Sequence, residues 1–333
     1  LALDKQGRRC GNVAWMMVNK EEPYAQSTWA CFGLDRQELL KDEHVSAMVV
    51  EVARTMKTGI YLYEGGAQYN VYFPGESVKL GAEVVNFSAA NVAALTLRIK
   101  VKSKSTNEVL FNKEFPVSIL AGKSESTSIT WAPSTLKEHE YEVSTELILG
   151  AKLIDVIKHE IQIAAPKPMD KRHYMTVKDS DFYLDGQKWY AHGVNYMPSS
   201  SLATEDGEYF HEYSGARAYD GELFDEELSR IASLGMNMVS IFVCFPHHRS
   251  RNTLDLVLRC EKHGLKVNLS LRHKADPLNF NWVEVKEMIE SLHLAEQDTI
   301  ISYDLAWETA WVGYTKPIYK DTYDREFGPW IIE

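Results

Sequence analysis

The C-terminal half of the sequence alternates short apolar runs with amphipathic helical stretches. A hairpin with an Asp-Gly turn that runs into a buried strand is predicted over 182–198. Helices are predicted for 224–234, 253–263 and 282–292, and strands for 237–243, 266–271 and 299–305. Strands that are apolar throughout and are joined by helices are typical of parallel sheets. The order β-α-β-α-β-α-β therefore predicts either a closed barrel or a doubly wound sheet.

Sequence motifs favour the barrel. The sequence contains nothing like the GxGxxG turn of nucleotide-binding doubly wound sheets. The segments YLDGQKWYAHGVNYMP, LGMNMVSIF, HGLKVNLSLR and ISYDLAWE resemble strands one to four of retaining (β/α)8 glycoside hydrolases, nearest to the cellulase and β-galactosidase families. The first and last segments are specific, whereas the middle two are common to many barrels. The resemblance spans roughly residues 180–315 and implies a partial TIM (β/α)8 barrel.

Polar side chains follow each predicted strand. In barrels of this kind the active site lies at the C-terminal ends of the strands, so the resemblance implies that these side chains converge. We predict Glu308 as the catalytic residue and a set of substrate-binding residues, which are Asn195, Tyr196, His247, Arg272, His273 and Trp307.

Glu308 closes the fourth strand, where the resemblance implies the acid/base of a two-carboxylate retaining mechanism. Its pKa would have to be raised by apolar or negatively charged surroundings. A surface or salt-bridged carboxylate is the alternative reading of this residue. The nucleophile would come from strand seven, outside this chain, so we expect these 333 residues alone to be inactive.

Trp307 departs from the family pattern. An asparagine usually stands at this position and contacts the sugar 2-hydroxyl, so that contact is in doubt here. The tryptophan is compatible with stacking on a sugar, with a core position or with a degenerate enzyme. The second functional hypothesis is therefore a non-catalytic carbohydrate-binding or scaffold protein with a decayed barrel.

A metal-dependent hydrolase is the third hypothesis. His247, His248 and His273 could bind a metal with Glu308, but the HxH pair of amidohydrolase strand one is absent at His192. The cysteines, at positions 10, 31, 244 and 260, lack metal-binding spacing. We expect no metal and no cofactor.

The N-terminal half predicts two further segments. Residues 67–166 contain about seven short alternating strands, as expected for a β-sandwich. The motif FPGE at 73–76, followed by VVN at 84–86, resembles the opening of immunoglobulin-like accessory domains. Residues 1–66 predict strand, helix and strand, as in the tail of an α/β domain of unknown role, and Pro166 and Pro168 predict a stiff linker before the barrel at 167–333. The predicted fold class is multidomain, α/β plus all-β.

Charge limits the partners. A formal net charge of -11 and a pI near 5.5 argue against nucleic acid and favour a neutral oligosaccharide or polysaccharide substrate. No apolar run reaches the roughly 20 residues of a membrane span. The first residues lack the features of a signal peptide. The sequence does not fix the cellular location, and a secreted or cell-surface location stays open. The open edges of half a barrel would favour self-association.

Overall fold

The structure is a computed structural model that describes residues 2–3, 9–34, 36–133, 140–201, 213–215, 218–242, 251–271 and 281–304. Their contacts divide them into two compact units. Unit 1 comprises residues 1–68 and 74–163, and unit 2 comprises residues 69–73 and 164–333, as far as each is described. The three-segment division predicted above stays a prediction.

The described strands are β1 (Ala2–Leu3), β2 (Arg9–Gly11), β3 (Ala14–Asn19), β4 (Ser27–Phe32), β5 (Ile60–Ala67), β6 (Val71–Tyr72), β7 (Val78–Asn86), β8 (Val92–Ser103), β9 (Val109–Ile119), β10 (Lys123–Trp131), β11 (Glu140–Leu149), β12 (Lys152–Ile163), β13 (Thr176–Lys178), β14 (Asp181–Leu184), β15 (Gln187–Trp189), β16 (Gly193–Tyr196), β17 (Met238–Phe242), β18 (Lys266–Ser270) and β19 (Ile300–Asp304). The α-helices are α1 (Glu43–Thr58), α2 (Gly221–Ser233), α3 (Arg251–Lys262) and α4 (Trp282–Ser291). None of the described helices is long and apolar enough to cross a membrane.

The start of unit 1 contains the predicted helix, with antiparallel strands on either side of it. The predicted helix is confirmed as α1, which begins after Asp42, whose carboxylate accepts from the backbone N–H groups of His44 and Val45. It ends at Gly59, where φ is 63°. The strands around it are antiparallel, because β3 pairs with β4 and β5 pairs with β7. β5 extends across the predicted boundary to Ala67, and the assignment of residues 1–66 to the tail of an α/β domain stays a prediction.

The rest of unit 1 is all antiparallel. One sheet has the order β10-β7-β5, and the unit 1 strands of a second sheet have the order β12-β11-β8-β9. Alternate residues are buried, such as Leu97 and Ile99 on β8 or Val143 and Leu147 on β11. β9 is one continuous strand, because an edge strand accommodates Pro116 without interruption. The structure thus shows two antiparallel sheets, and their immunoglobulin-like character stays a prediction.

Side chains from β12 hydrogen-bond the edge of β5. The backbone N–H of Leu62 donates to Asp155 Oδ2 at 2.9 Å, and that of Ala67 donates to His159 Nε2 at 2.8 Å. Since Nε2 accepts, the ring is neutral and its Nδ1 donates to the Glu160 carbonyl at 3.2 Å. Gly66 permits this approach, because a Cβ there would lie 2.2 Å from Nε2. Protonation of His159 would therefore remove one of the two side-chain acceptors through which β12 bonds to β5.

The hydrogen bond from Ala67 to His159 predicts that the stability of unit 1 depends on pH. Burial lowers the pKa of His159 below its usual value because the imidazolium would lose hydration. The stabilisation by the Ala67–His159 hydrogen bond is fully present above the pKa of histidine in the unfolded chain, about 6.5. It is lost as pH falls through the lower pKa of His159 in the folded protein. We expect the urea midpoint of the wild type to fall more, between about pH 7.5 and about pH 5, than that of His159→Gln, whose amide can accept without titrating. His173→Gln, at an exposed position, is the control, and equal pH dependence in wild type and His159→Gln would contradict the prediction.

Unit 2 contains a parallel sheet in chain order. Strands β16, β17, β18 and β19 are neighbours in that sequence and all pair in parallel. The helices α2, α3 and α4 lie in the connections, so the predicted elements of this region are confirmed within a few residues. One sheet face packs on the helices through a core that includes Val239, Ile241, Val267, Leu269, Phe224, Leu228, Leu254 and Met288. The described residues contain no closed barrel, and the TIM barrel stays a prediction.

A buried ionic network joins α2 to α3. Arg259 Nε donates to Asp255 Oδ2 at 2.7 Å, and its Nη1 donates to Asp225 Oδ2 at 2.5 Å and to the Gly221 carbonyl at 2.9 Å. The Tyr219 hydroxyl also donates to Asp255. Asp255 is fully buried, so the guanidinium is required to compensate a charge that water does not reach.

Removal of this guanidinium should cost far more than removal of a surface charge. We expect Arg259→Met to lower the free energy of unfolding of unit 2 by about 3–5 kcal/mol, because Asp255 would remain buried and uncompensated. Lys286→Met, which removes an exposed pair with Glu290, should cost less than about 1 kcal/mol. Denaturant unfolding followed by helical circular dichroism measures both. Adding Asp255→Asn to Arg259→Met should recover part of the loss, and no recovery would contradict this account.

Candidate functional site

The structure describes two of the predicted site residues. Asn195 and Tyr196 lie at the end of β16. The other predicted residues lie outside the described part of the chain; they are His247, Arg272, His273, Trp307 and Glu308. The candidate site is therefore built from the parallel sheet that leads to these positions.

Tyr196 lies on the helix-covered face of the sheet. Its side chain is 5% exposed and its ring packs edge-on against Phe224 of α2. Its hydroxyl donates to Glu227 Oε2 at 2.8 Å, and burial together with this carboxylate raises the pKa of Tyr196 well above its usual value. The backbone N–H and the hydroxyl of Ser199 donate to the same carboxylate. In this structure Tyr196 therefore anchors the exit of β16 to α2 rather than facing the opposite side of the sheet.

Asn195 lies on the opposite face of the sheet from Val239, Ile241, Val267 and Leu269, and we call this the open face because solvent reaches the aligned side chains described below. Successive residues of a strand point to opposite faces, and the Asn195 side chain is exposed. The strand register aligns it with Ser240, then Asn268, then Ser302. We call these four residues the polar row. Its members other than Asn195 are half-buried.

Hydrogen bonds connect the polar row from strand to strand. Ser302 Oγ donates to Asn268 Oδ1 at 2.6 Å, and Asn268 Nδ2 donates to Ser240 Oγ at 3.0 Å. Ser240, Asn268 and Ser302 are not among the site residues predicted from the sequence. The available signal was a single polar residue between apolar neighbours in MVSIF, KVNLS and IISYD.

A second level of side chains lies at the ends of the same strands. Phe242, Ser270 and Asp304 are aligned with one another, two residues beyond the polar row. Ser270 is 0% exposed and its hydroxyl has no hydrogen-bond partner among the residues that the structure describes. A buried hydroxyl without a partner is costly, so this position calls for a polar atom that the described residues do not provide.

The chemistry of this face is neutral and hydrogen-bonding. The polar row offers amide and hydroxyl groups, each of which combines donors with acceptors. Asp304 places a carboxylate at the strand ends. Within the described ranges no cluster of three or more His, Cys, Asp or Glu side chains is arranged to hold a metal. The arrangement can therefore bind hydroxyl groups, and proton transfer would depend on carboxylates at the strand ends and beyond them.

Comparisons with known proteins give structural similarity only. No family model matches the chain, and no curated protein matches it. Similar solved structures include the Bacteroides uniformis β-glucuronidase, at 16% identity and a TM-score of 0.34 over 81% of this chain and 30% of that one. A Parabacteroides merdae β-glucuronidase has 12% identity and a TM-score of 0.32 over 76% and 29%, respectively. A glycosyl hydrolase family 2 member from Bacteroides cellulosilyticus has 14% identity and a TM-score of 0.31 over 74% and 32%.

The chain spans about a third of the length of the solved structures that it matches. These neighbours are two β-glucuronidases and a glycosyl hydrolase family 2 member. Identities and TM-scores this low do not assign the chain to their family or give it their activity.

Proposed function

We propose that this chain is part of a retaining glycoside hydrolase in which Glu308 is the acid/base. The supporting observation is the parallel pairing of β16 to β19, because parallel strands bring their C-terminal ends to the same edge of a sheet. Asn195 lies next to the end of β16, and Glu308 follows Asp304, the last residue of β19, by four residues. We therefore assign Asn195 and Glu308 to the same edge of the sheet, on the basis of their positions in the sequence after β16 and β19.

The proposed reaction uses two carboxylates. Glu308 donates a proton to the leaving glycosidic oxygen while a nucleophilic carboxylate outside this chain attacks the anomeric carbon and forms a glycosyl-enzyme. Glu308, now ionised, then takes a proton from water as the water oxygen attacks the same carbon and releases the nucleophile. Its pKa would have to be high in the first step and lower once the nucleophile is esterified, since the neighbouring negative charge is then gone.

The substrate in this proposal is a neutral, β-linked oligosaccharide or polysaccharide. The open face of the sheet offers uncharged hydrogen-bonding groups, and the chain carries a net charge of -11, which disfavours polyanionic ligands. His247, Arg272, His273 and Trp307 would complete the substrate-binding edge, with Trp307 in place of the usual asparagine. Tyr196 would act by holding β16 on α2. Unit 1 would be an immunoglobulin-like accessory module without a catalytic role.

The acid/base role predicts a dependence on the leaving group. In the full-length protein, Glu308→Gln should slow hydrolysis of alkyl β-glycosides by about 10²–10⁴-fold, because glutamine cannot protonate the departing oxygen. Dinitrophenyl β-glycosides should be affected much less in the glycosylation step, since their leaving group departs without protonation. Steady-state kinetics on matched glycosides measure both effects. The control is Glu226→Gln, an exposed glutamate of α2 that should leave turnover unchanged.

Two results would contradict the proposal. An equal loss on both classes of leaving group would remove the acid role from Glu308. Binding of saccharides without any hydrolysis by the full-length wild type would favour the non-catalytic carbohydrate-binding protein instead.

A further inference from the structure

We propose that the polar row binds the hydroxyl groups of a neutral saccharide on the open face of the sheet, and that Asn268 sets the direction of its hydrogen bonds. The class of ligand rests on the proposed function. The location rests on Asn195, Ser240, Asn268 and Ser302 themselves.

The hydrogen bonds within the polar row leave the proton of the Ser240 hydroxyl available for a ligand. Ser302 donates to the Asn268 carbonyl, and the Asn268 amide donates to Ser240. Because Ser240 Oγ already accepts this bond, its own proton is available for another group, on the side of the exposed Asn195. A ligand hydroxyl placed there could accept from Ser240 and bond with the Asn195 amide.

The composition of the row differs from that of a packed barrel interior. Inner faces of such barrels are filled mainly by bulky branched side chains. Here four neighbouring strands place small polar groups at one level, and solvent reaches all four. Such groups lose free energy when they are covered without polar partners, so an apolar cover is disfavoured.

A second observation comes from the next level toward the strand ends. Ser270 follows Asn268 by two residues and therefore projects from the same face. Its buried hydroxyl has no partner among the described residues, so it lacks the polar atom that a ligand or a bound water would supply. The two levels are about 7 Å apart, the length of two strand residues.

The chemistry of the row selects a neutral, hydroxylated ligand. Its members carry no charge, whereas phosphate and carboxylate ligands are usually bound by cationic side chains or positively polarised N–H groups. Hydroxyl groups that both donate and accept match alternating serine and asparagine side chains. Neighbouring strands about 4.8 Å apart repeat this pattern across the sheet. A sugar ring, with hydroxyl groups on successive carbons, fits this pattern.

The test is equilibrium binding by the intact 333-residue chain. Hexasaccharides of β-linked glucose, mannose, xylose and galactose are titrated by calorimetry into wild type, Asn195→Ala and Asn268→Asp. In Asn268→Asp the carboxylate would take the Ser240 proton, leaving none for the ligand. We expect each variant to weaken binding of the recognised saccharide by about tenfold, the value of one hydrogen bond. Asn112→Ala, at an exposed asparagine of β9, should bind like wild type.

Spectroscopy separates binding from folding. Asn195 is exposed and has no hydrogen bond to a described residue, so Asn195→Ala should keep the wild-type melting temperature and remains informative if Asn268→Asp fails to fold. In nuclear magnetic resonance spectra, the side-chain amide signals of Asn195 and Asn268 should shift on saccharide addition, whereas that of Asn112 should not.

Several outcomes would overturn the inference. It fails if the variants bind saccharide like wild type, or if the intact chain binds none of the four saccharides. It also fails if analytical ultracentrifugation shows that the wild type is a dimer and Asn195→Ala a monomer, because the row would then contact a second copy of the chain. The proposed function is decided separately by hydrolysis with Glu308→Gln, so a result against the polar row leaves that question unaffected.

Discussion

The parallel register of β16 to β19 is the constraint on which the other features of unit 2 depend. It sets which side chains share a level, so Asn195, Ser240, Asn268 and Ser302 form one row although more than 100 residues separate the first from the last. The same register places Val239, Ile241, Val267 and Leu269 on the opposite face, against the helices. A shift of one residue in any strand would exchange the two faces, so burial of the apolar face also fixes the polar one.

The charges that stabilise unit 2 lie away from the polar row. The Arg259 network lies between α2 and α3, and a second network holds the segment after Ile163, where Lys167 Nζ pairs with Asp298 at 2.7 Å and Glu261 at 2.5 Å. Pro166 and Pro168 therefore flank a residue that is held by ion pairs within unit 2. Because the row itself is uncharged, substitutions there should act on ligands without disturbing these ion pairs.

Local periodicity accounts for what the sequence could predict. The helices and strands of unit 2 follow from apolar spacing, and Asp42 and Gly59 mark the ends of α1. Strand partners depend on contacts between distant residues, so β5 could not be assigned to an antiparallel sheet from its own residues. The polar row was missed because alignment across strands is equally non-local. The face of Tyr196 could have been predicted from the sequence. Adjacent residues of a strand point to opposite faces, so Asn195 and Tyr196 could not both point to the same face of the sheet.

The polar row has a thermodynamic consequence for any barrel that contains it. An aliphatic layer at this level would contribute burial energy, whereas serine and asparagine contribute little net stability even when hydrogen-bonded. The polar row therefore makes the fold less stable than it would be with aliphatic side chains at this level. Binding sites commonly carry such a cost, because groups that must bond with a ligand cannot all be satisfied within the protein. The Ser270 hydroxyl, two residues farther along β18, has no partner among the described residues and adds to that cost near the strand ends.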